Sequence, residues 1–156
     1  MAPAGMQVSS SYTGSGVGAA DLAIVVIGED PYAEWAGDRS ELSLSAEDQQ
    51  VINTVAATGT PFVVILISGR PMILGDALGL SDAFVATRLP GTEGGGLADI
   101  LFGHYTPTGK LTHSWPRNMG QIPINVGDAD YNPLFPYGYG LQNWGINLGI
   151  RAPWKR

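Results

Sequence analysis

Six consecutive apolar residues, Phe62-Val63-Val64-Ile65-Leu66-Ile67, limit what this chain can fold into more than any other stretch. A half-buried strand alternates apolar and polar residues, because one face meets water. A run with no polar position must be buried on both faces, as the inner strand of a parallel sheet is. Gly59 and Pro61 before the run and Ser68-Gly69-Arg70-Pro71 after it are turn-forming residues that bound it as one strand. Two further stretches read the same way: Leu22-Ala23-Ile24-Val25-Val26-Ile27, and the shorter Ala83-Phe84-Val85-Ala86-Thr87.

Helices are expected between these strands. Ser45 can cap a helix start, with Asp48 at the capping-box position. Val51, Ile52, Val55 and Ala56 then fall on one helical face, and Gly59 stops the helix. A short helix is expected over residues 73–80, weakened by Gly75 and Gly79, and another through Leu97, Ile100, Leu101 and Phe102. Three strands, each followed by a polar loop and then a helix, imply right-handed crossovers and a parallel α/β sheet. Lys110 to Trp115, bounded by Pro107 and Pro116, reads as one more strand. Beyond Pro116 the chain is rich in Gly, Pro, Asn and aromatic residues without periodicity. An aromatic-pinned coil over the sheet is expected there, since disordered segments are poor in aromatics.

Within this frame the loop after the first strand carries the chemistry. Gly28 to Arg39 holds Glu29, Asp30, Glu34 and Asp38, four of the fourteen acids of the chain, beside Tyr32, Trp35 and Arg39. Open α/β sheets carry their sites at the C-terminal ends of the strands. The same content also suits a charged surface turn held by ion pairs. Other sites find less support. A net charge of −6 without a basic stripe argues against nucleic acid and anionic membranes as partners. With no cysteine there is no disulfide, thiolate ligand or Cys nucleophile. His104 and His113 are too far apart for a helical metal pair. The glycine loop Gly91 to Gly96 lacks the lysine and hydroxyl of a phosphate-binding loop, and no Gly-x-Ser-x-Gly elbow exists. Residues 1–20 have neither the basic nor the apolar region of a signal peptide and read as a flexible lead-in, and no apolar run approaches a membrane span. A soluble chain of unassigned compartment is expected.

Taken in order, the motifs point to a family. Gly28-Glu29-Asp30-Pro31-Tyr32-Ala33-Glu34, Gly37-Asp38, Ile67-Ser68-Gly69-Arg70-Pro71, Leu89-Pro90-Gly91-Thr92-Glu93-Gly94, Leu101-Phe102-Gly103, Gly109-Lys110-Leu111, Trp115-Pro116 and Pro136-Tyr137-Gly138-Tyr139-Gly140-Leu141 follow one another. Together they resemble the C-terminal α/β-sandwich domain of glycoside hydrolase family 3, in its β-glucosidase and β-glucan glucohydrolase branch. The likeness covers residues 21–141, between the lead-in and an extension over 142–156.

The resemblance implies a three-layer α/β/α sandwich with a mostly parallel sheet of about four strands, one of them antiparallel. It also implies a retaining β-glucosidase chemistry shared between two domains. The Pro-Tyr-x-Glu motif makes Glu34 the general acid/base, with a carboxyl pKa raised by burial beside Tyr32 and Trp35 under a bound sugar. In the family the nucleophile belongs to a barrel domain, which is expected to be absent from this chain. Stand-alone activity needs a second carboxylate about 5 Å away, and Asp38, Glu29, Asp30 and Glu93 are the candidates. Tyr32, Trp35 and Arg70 are expected at the substrate, with Asp38 and Arg39 bracing the loop, Arg70 anchoring it through backbone carbonyls and Glu93 bonding backbone at a helix start. The β-glucoside or β-glucan needs no metal or organic cofactor. The first strands of the family sheet are missing, so an unpaired edge is expected, and with it a homodimer or swapped assembly. A non-catalytic module, binding glucan through aromatics such as Tyr137 and Tyr139 or completing a separate barrel chain, is the second function class.

Overall fold

The computed structural model describes residues 5–32 and 34–140, apart from the side chain of Glu34. The extension over 142–156 and Leu141 therefore lie outside the described residues. Strands β1 (Ala23–Gly28), β2 (Phe62–Ile67) and β3 (Ala83–Ala86) form one parallel sheet in the order β1-β2-β3. The register pairs Ala23 with Phe62 through Gly28 with Ile67, and Val63 with Ala83 through Leu66 with Ala86. The apolar run thus lies in the centre, and Phe62 to Leu66 are all buried.

Helices α1 (Ala46–Ala56), α2 (Ala77–Leu80) and α3 (Gly94–Leu101) alternate with the strands. Because the sheet steps in one direction, right-handed crossovers put α1 and α2 on the same face, where they pack together. Ser45 caps α1, its Oγ accepting from the Asp48 N–H at 3.0 Å. The expected apolar stripe points inward through Ile52 and Val55, which meet Ala23, Val25 and Ile27 of β1 and Phe62, Val64 and Leu66 of β2 in the core. On the opposite face of β1, Ile24 and Val26 remain 46% and 57% exposed.

Two elements differ from the sequence expectation. The helix expected over 73–80 is confined to Ala77–Leu80. Gly75 takes a left-handed φ of 53° that ends any helix there, and Ile73 is committed to a parallel bridge with Ser43. Lys110 to Trp115 forms no regular strand among the described residues; the antiparallel element is a single bridge between Trp115 and Phe135. Around it runs an irregular ribbon. The Leu111 and Trp115 N–H groups donate to Tyr139 and Phe135, and the Gly138 and Leu134 N–H groups donate back to Leu111 and Trp115. Pro136, inside the ribbon, has no N–H to give, so the ladder is broken into separate pairs.

The lead-in has order of its own. A 3-10 turn spans Val17–Ala19, and the Val17 carbonyl accepts from Thr60 Oγ1 at 3.2 Å. No helix among the described residues is long and apolar enough to cross a membrane.

Candidate active site

The C-terminal ends of β1 and β2 deliver the two loops that make the site. The ladder continues one step beyond β1, where the Glu29 N–H donates to the Ile67 carbonyl at 3.1 Å. This places the Glu29 side chain beside the Ser68-Gly69-Arg70-Pro71 loop. Farther on, the Ile73 N–H donates to Leu42 and the Leu44 N–H to Ile73, so the segments leaving the two loops are also joined.

Glu29 is the hub. Its side chain is 4% exposed and takes a forked pair from Arg70, Nη2 at 2.8 Å from Oε1 and Nε at 3.0 and 3.2 Å from the two oxygens. Arg39 adds a longer contact of 3.5 Å. The hydrogen bonds it donates to Glu29, and then the charge of Glu29, hold the Arg70 guanidinium above its ordinary pKa against the opposing effect of burial. The anchor expected of Arg70 therefore runs to a carboxylate rather than to backbone carbonyls, and Arg39 pairs with Glu29 rather than with Asp38.

Arg70 also lies over the Tyr32 ring, 4.6 Å from its centroid. Tyr32 is packed so closely that two glycines are required around it. A Cβ on Gly37 would collide with the ring, and one on Gly69 would come within 2.6 Å of the phenolic oxygen. The Pro-Tyr-x-Glu segment is thus gripped at Glu29, at Tyr32 and at Gly37. Between the last two, the chain turns through a 3-10 segment, Glu34–Gly37, closed by the Asp38 N–H donating to Trp35 at 3.1 Å. The Glu34 backbone opens this turn, and its side chain lies outside the described residues. Trp35 is 87% exposed.

The other candidate carboxylates are dispersed. Asp30 and Asp38 are exposed on the same loop. Glu93 is exposed where α3 begins and makes no side-chain cap bond, contrary to the backbone bond expected of it. A carboxylate read from sequence only as part of a cap, Asp48, reaches the end of β1. Burial pushes its carboxyl above the ordinary Asp range, with Ser45 and the Gly28 backbone opposing the shift and the nearby charges of Glu47 and Asp30 adding to it. The signal was available in principle: in a β-α-β unit the helix starts at the edge where the preceding strand ends.

The comparisons bear on this geometry. Residues 7–143 match the model of the glycosyl hydrolase family 3 C-terminal domain. The chain is 37% identical to a periplasmic β-glucosidase of Salmonella typhimurium over 79% of its own length and 19% of the relative's. It is 31% identical to a β-xylosidase of Formosa agariphila, over 78% of its length and 19% of the relative's. Among solved structures, an exo-1,3/1,4-β-glucanase from a Pseudoalteromonas species superposes with a TM-score of 0.72 at 48% identity, over 78% of this chain and 16% of that one. The chain thus spans about a fifth of the length of the curated relatives it matches. With an α/β sheet of matching fold and the whole motif series in order, the chain belongs to glycosyl hydrolase family 3, as its C-terminal domain.

Proposed function

We propose that this domain supplies the general acid/base for hydrolysis of β-glucosides by a retaining two-carboxylate mechanism. Glu34 protonates the leaving oxygen and then, as carboxylate, activates the water that releases the sugar. The bracing of Tyr32 carries the reading. A proton donor has to be held within hydrogen-bond reach of one oxygen, and the loop bearing Glu34 is fixed at Glu29 and Tyr32 before it and Gly37 after it. Trp35, facing solvent beside Glu34, is the stacking surface for the leaving group, while Tyr32 and Arg70 position the loop against the substrate. Relatives named as β-glucosidases and a β-xylosidase support a β-linked glycoside as the substrate class.

The nucleophile is assigned to a separate barrel domain. Glu29 is already committed to Arg70 and Arg39, and Asp30, Asp38 and Glu93 are exposed. The exposed edge of β1, with Ile24 and Val26 uncovered, is assigned to pairing with a second copy of the chain when no other strands cover it.

The test is hydrolysis of 4-nitrophenyl and methyl β-glucosides by the chain alone and together with a separately expressed barrel domain of a family member. Turnover is expected only in the mixture. Glu34→Gln should then lower kcat/KM, which reports formation of the glycosyl-enzyme, by roughly 10²–10⁴-fold on the methyl glycoside and far less on the nitrophenyl one, whose leaving group departs without protonation. Equal losses on both substrates would exclude Glu34 as the acid. Turnover by the chain alone would exclude the assigned division of labour.

A further inference from the structure

A groove of about 320 Å³ opens between the loop after β2 and the C-terminal segment, lined by Arg70, Pro71, Thr112, His113, Val126 and Tyr137 among others. None of its lining residues is a carboxylate, in a chain whose net charge is −6. Behind its wall stands Arg88, which has a left-handed φ of 58°, the one non-glycine residue with a positive φ among those described. A β-carbon makes that conformation unfavourable, and such strain persists only where the surroundings impose it.

The strained backbone places a guanidinium across the end of the sheet. Arg88 Nη1 donates to the Gly69 carbonyl at 3.2 Å, and Nη2 donates to Thr112 Oγ1 at 2.7 Å and approaches His113 Nδ1 at 3.3 Å. Thr112 Oγ1 is in turn 2.9 Å from the same Nδ1. Arginine has no acceptor, so a bond between Arg88 and His113 requires Nδ1 to accept, and the ring proton then sits on Nε2. No carboxylate lies within ion-pair distance of Arg88 among the described residues, whereas Arg70 is already matched by Glu29. The groove therefore offers N–H and O–H donors and an exposed aromatic, Tyr137, on its wall, with Arg88, which has no carboxylate partner among the described residues, directly behind the donors.

We infer that this groove binds a carboxylate-bearing saccharide, a uronate, with His113 and Thr112 donating to the carboxylate, Arg88 behind them supplying the charge, and Tyr137 lying against the sugar ring. Arg88 is a positioning residue in this arrangement, since it acts through Thr112 and His113. A neutral glycoside makes the ring contact but gains nothing from the charge, and charge-assisted hydrogen bonds are about twice as strong as neutral ones. The groove shares Arg70 with the loop bearing Glu34, but its carboxylate donors, Thr112 and His113, have no part in the hydrolysis assigned to Glu34, and it is tested without turnover.

The experiment is an NMR titration of the whole chain with methyl β-glucuronide, methyl β-glucoside and acetate, following the His113 ring nitrogens. The glucuronide is expected to shift the His113 signals and to bind at least about tenfold more tightly than the glucoside, a difference of ~1.4 kcal/mol. Arg88→Asn tolerates the left-handed backbone and should reduce the preference to less than about threefold, while Tyr137→Leu should weaken both glycosides and leave the preference intact. Equal binding of the two glycosides, or glucuronide binding without a response at His113, would overturn the inference. So would acetate binding as tightly as glucuronide, which marks an adventitious anion only. Should Arg88→Asn fail to fold, the glycoside comparison in the wild type and in Tyr137→Leu decides the matter alone.

Discussion

Glu29 and Arg70 stand 41 residues apart and make the forked contact on which the loop bearing Glu34 rests. Sequence reading placed both at the same sheet edge but assigned Glu29 to the pool of candidate carboxylates and Arg70 to backbone carbonyls. Strand order alone cannot say which acid meets which base; the register does, because Glu29 extends the β1–β2 ladder by one step. Breaking such a pair leaves a nearly buried carboxylate without its cation, which costs about 3–5 kcal/mol in fully buried cases and less where, as here, one partner is partly exposed. Arg70→Met should lower stability by about 2–4 kcal/mol in urea denaturation. Glu29→Gln, which keeps the shape and removes the charge, should cost about 1–3 kcal/mol. Changes within a few tenths of a kcal/mol for both would mean that the pair does not hold the loop.

Among the elements, the C-terminal ribbon departs furthest from a regular pattern, and its order comes from aromatic side chains. Trp115 is buried and donates its indole N–H to the Met72 carbonyl at 2.7 Å. Its ring meets Phe135 edge-on at 6.4 Å, and Phe135 stacks on Tyr139 at 4.7 Å. The aromatic-pinned coil was legible from composition, but the identity of the pin was not, because no periodicity marks a buried residue in a coil. Trp115→Ala should cost about 3–5 kcal/mol and open the segment over 117–140 to proteolysis before the sheet is cleaved. Trp115→Phe keeps much of the volume but leaves the Met72 carbonyl unpaired, for about 1–3 kcal/mol. If proteolysis of Trp115→Ala begins in α1 or β2 instead, the ribbon is not pinned by this residue.

At the scale of the molecule, β1 is both the strand that leads into the loop bearing Glu34 and, among the described residues, an edge of the sheet. Its outward face shows Ile24 and Val26, and its free backbone groups can extend the sheet with another chain. Sedimentation velocity at micromolar concentration should therefore show a dimer. Val26→Lys places a charge on the edge strand and should return the chain to monomers with unchanged circular dichroism. A monomeric wild type would remove the proposed pairing.

The sequence by itself determined the parallel α/β sheet, the helix that Ser45 starts and the loop that follows β1. These rest on local causes: an uninterrupted apolar run, a cap and turn residues at the strand ends. Only the tertiary structure decided that Glu29 is held by Arg70, that Tyr32 fills the space left by Gly37 and Gly69, that Asp48 reaches the end of β1, and that Arg88 bends out of the ordinary backbone toward Thr112 and His113. Each of these depends on which segments meet across the sheet edge, and residue types along a single strand or loop carry no record of that meeting.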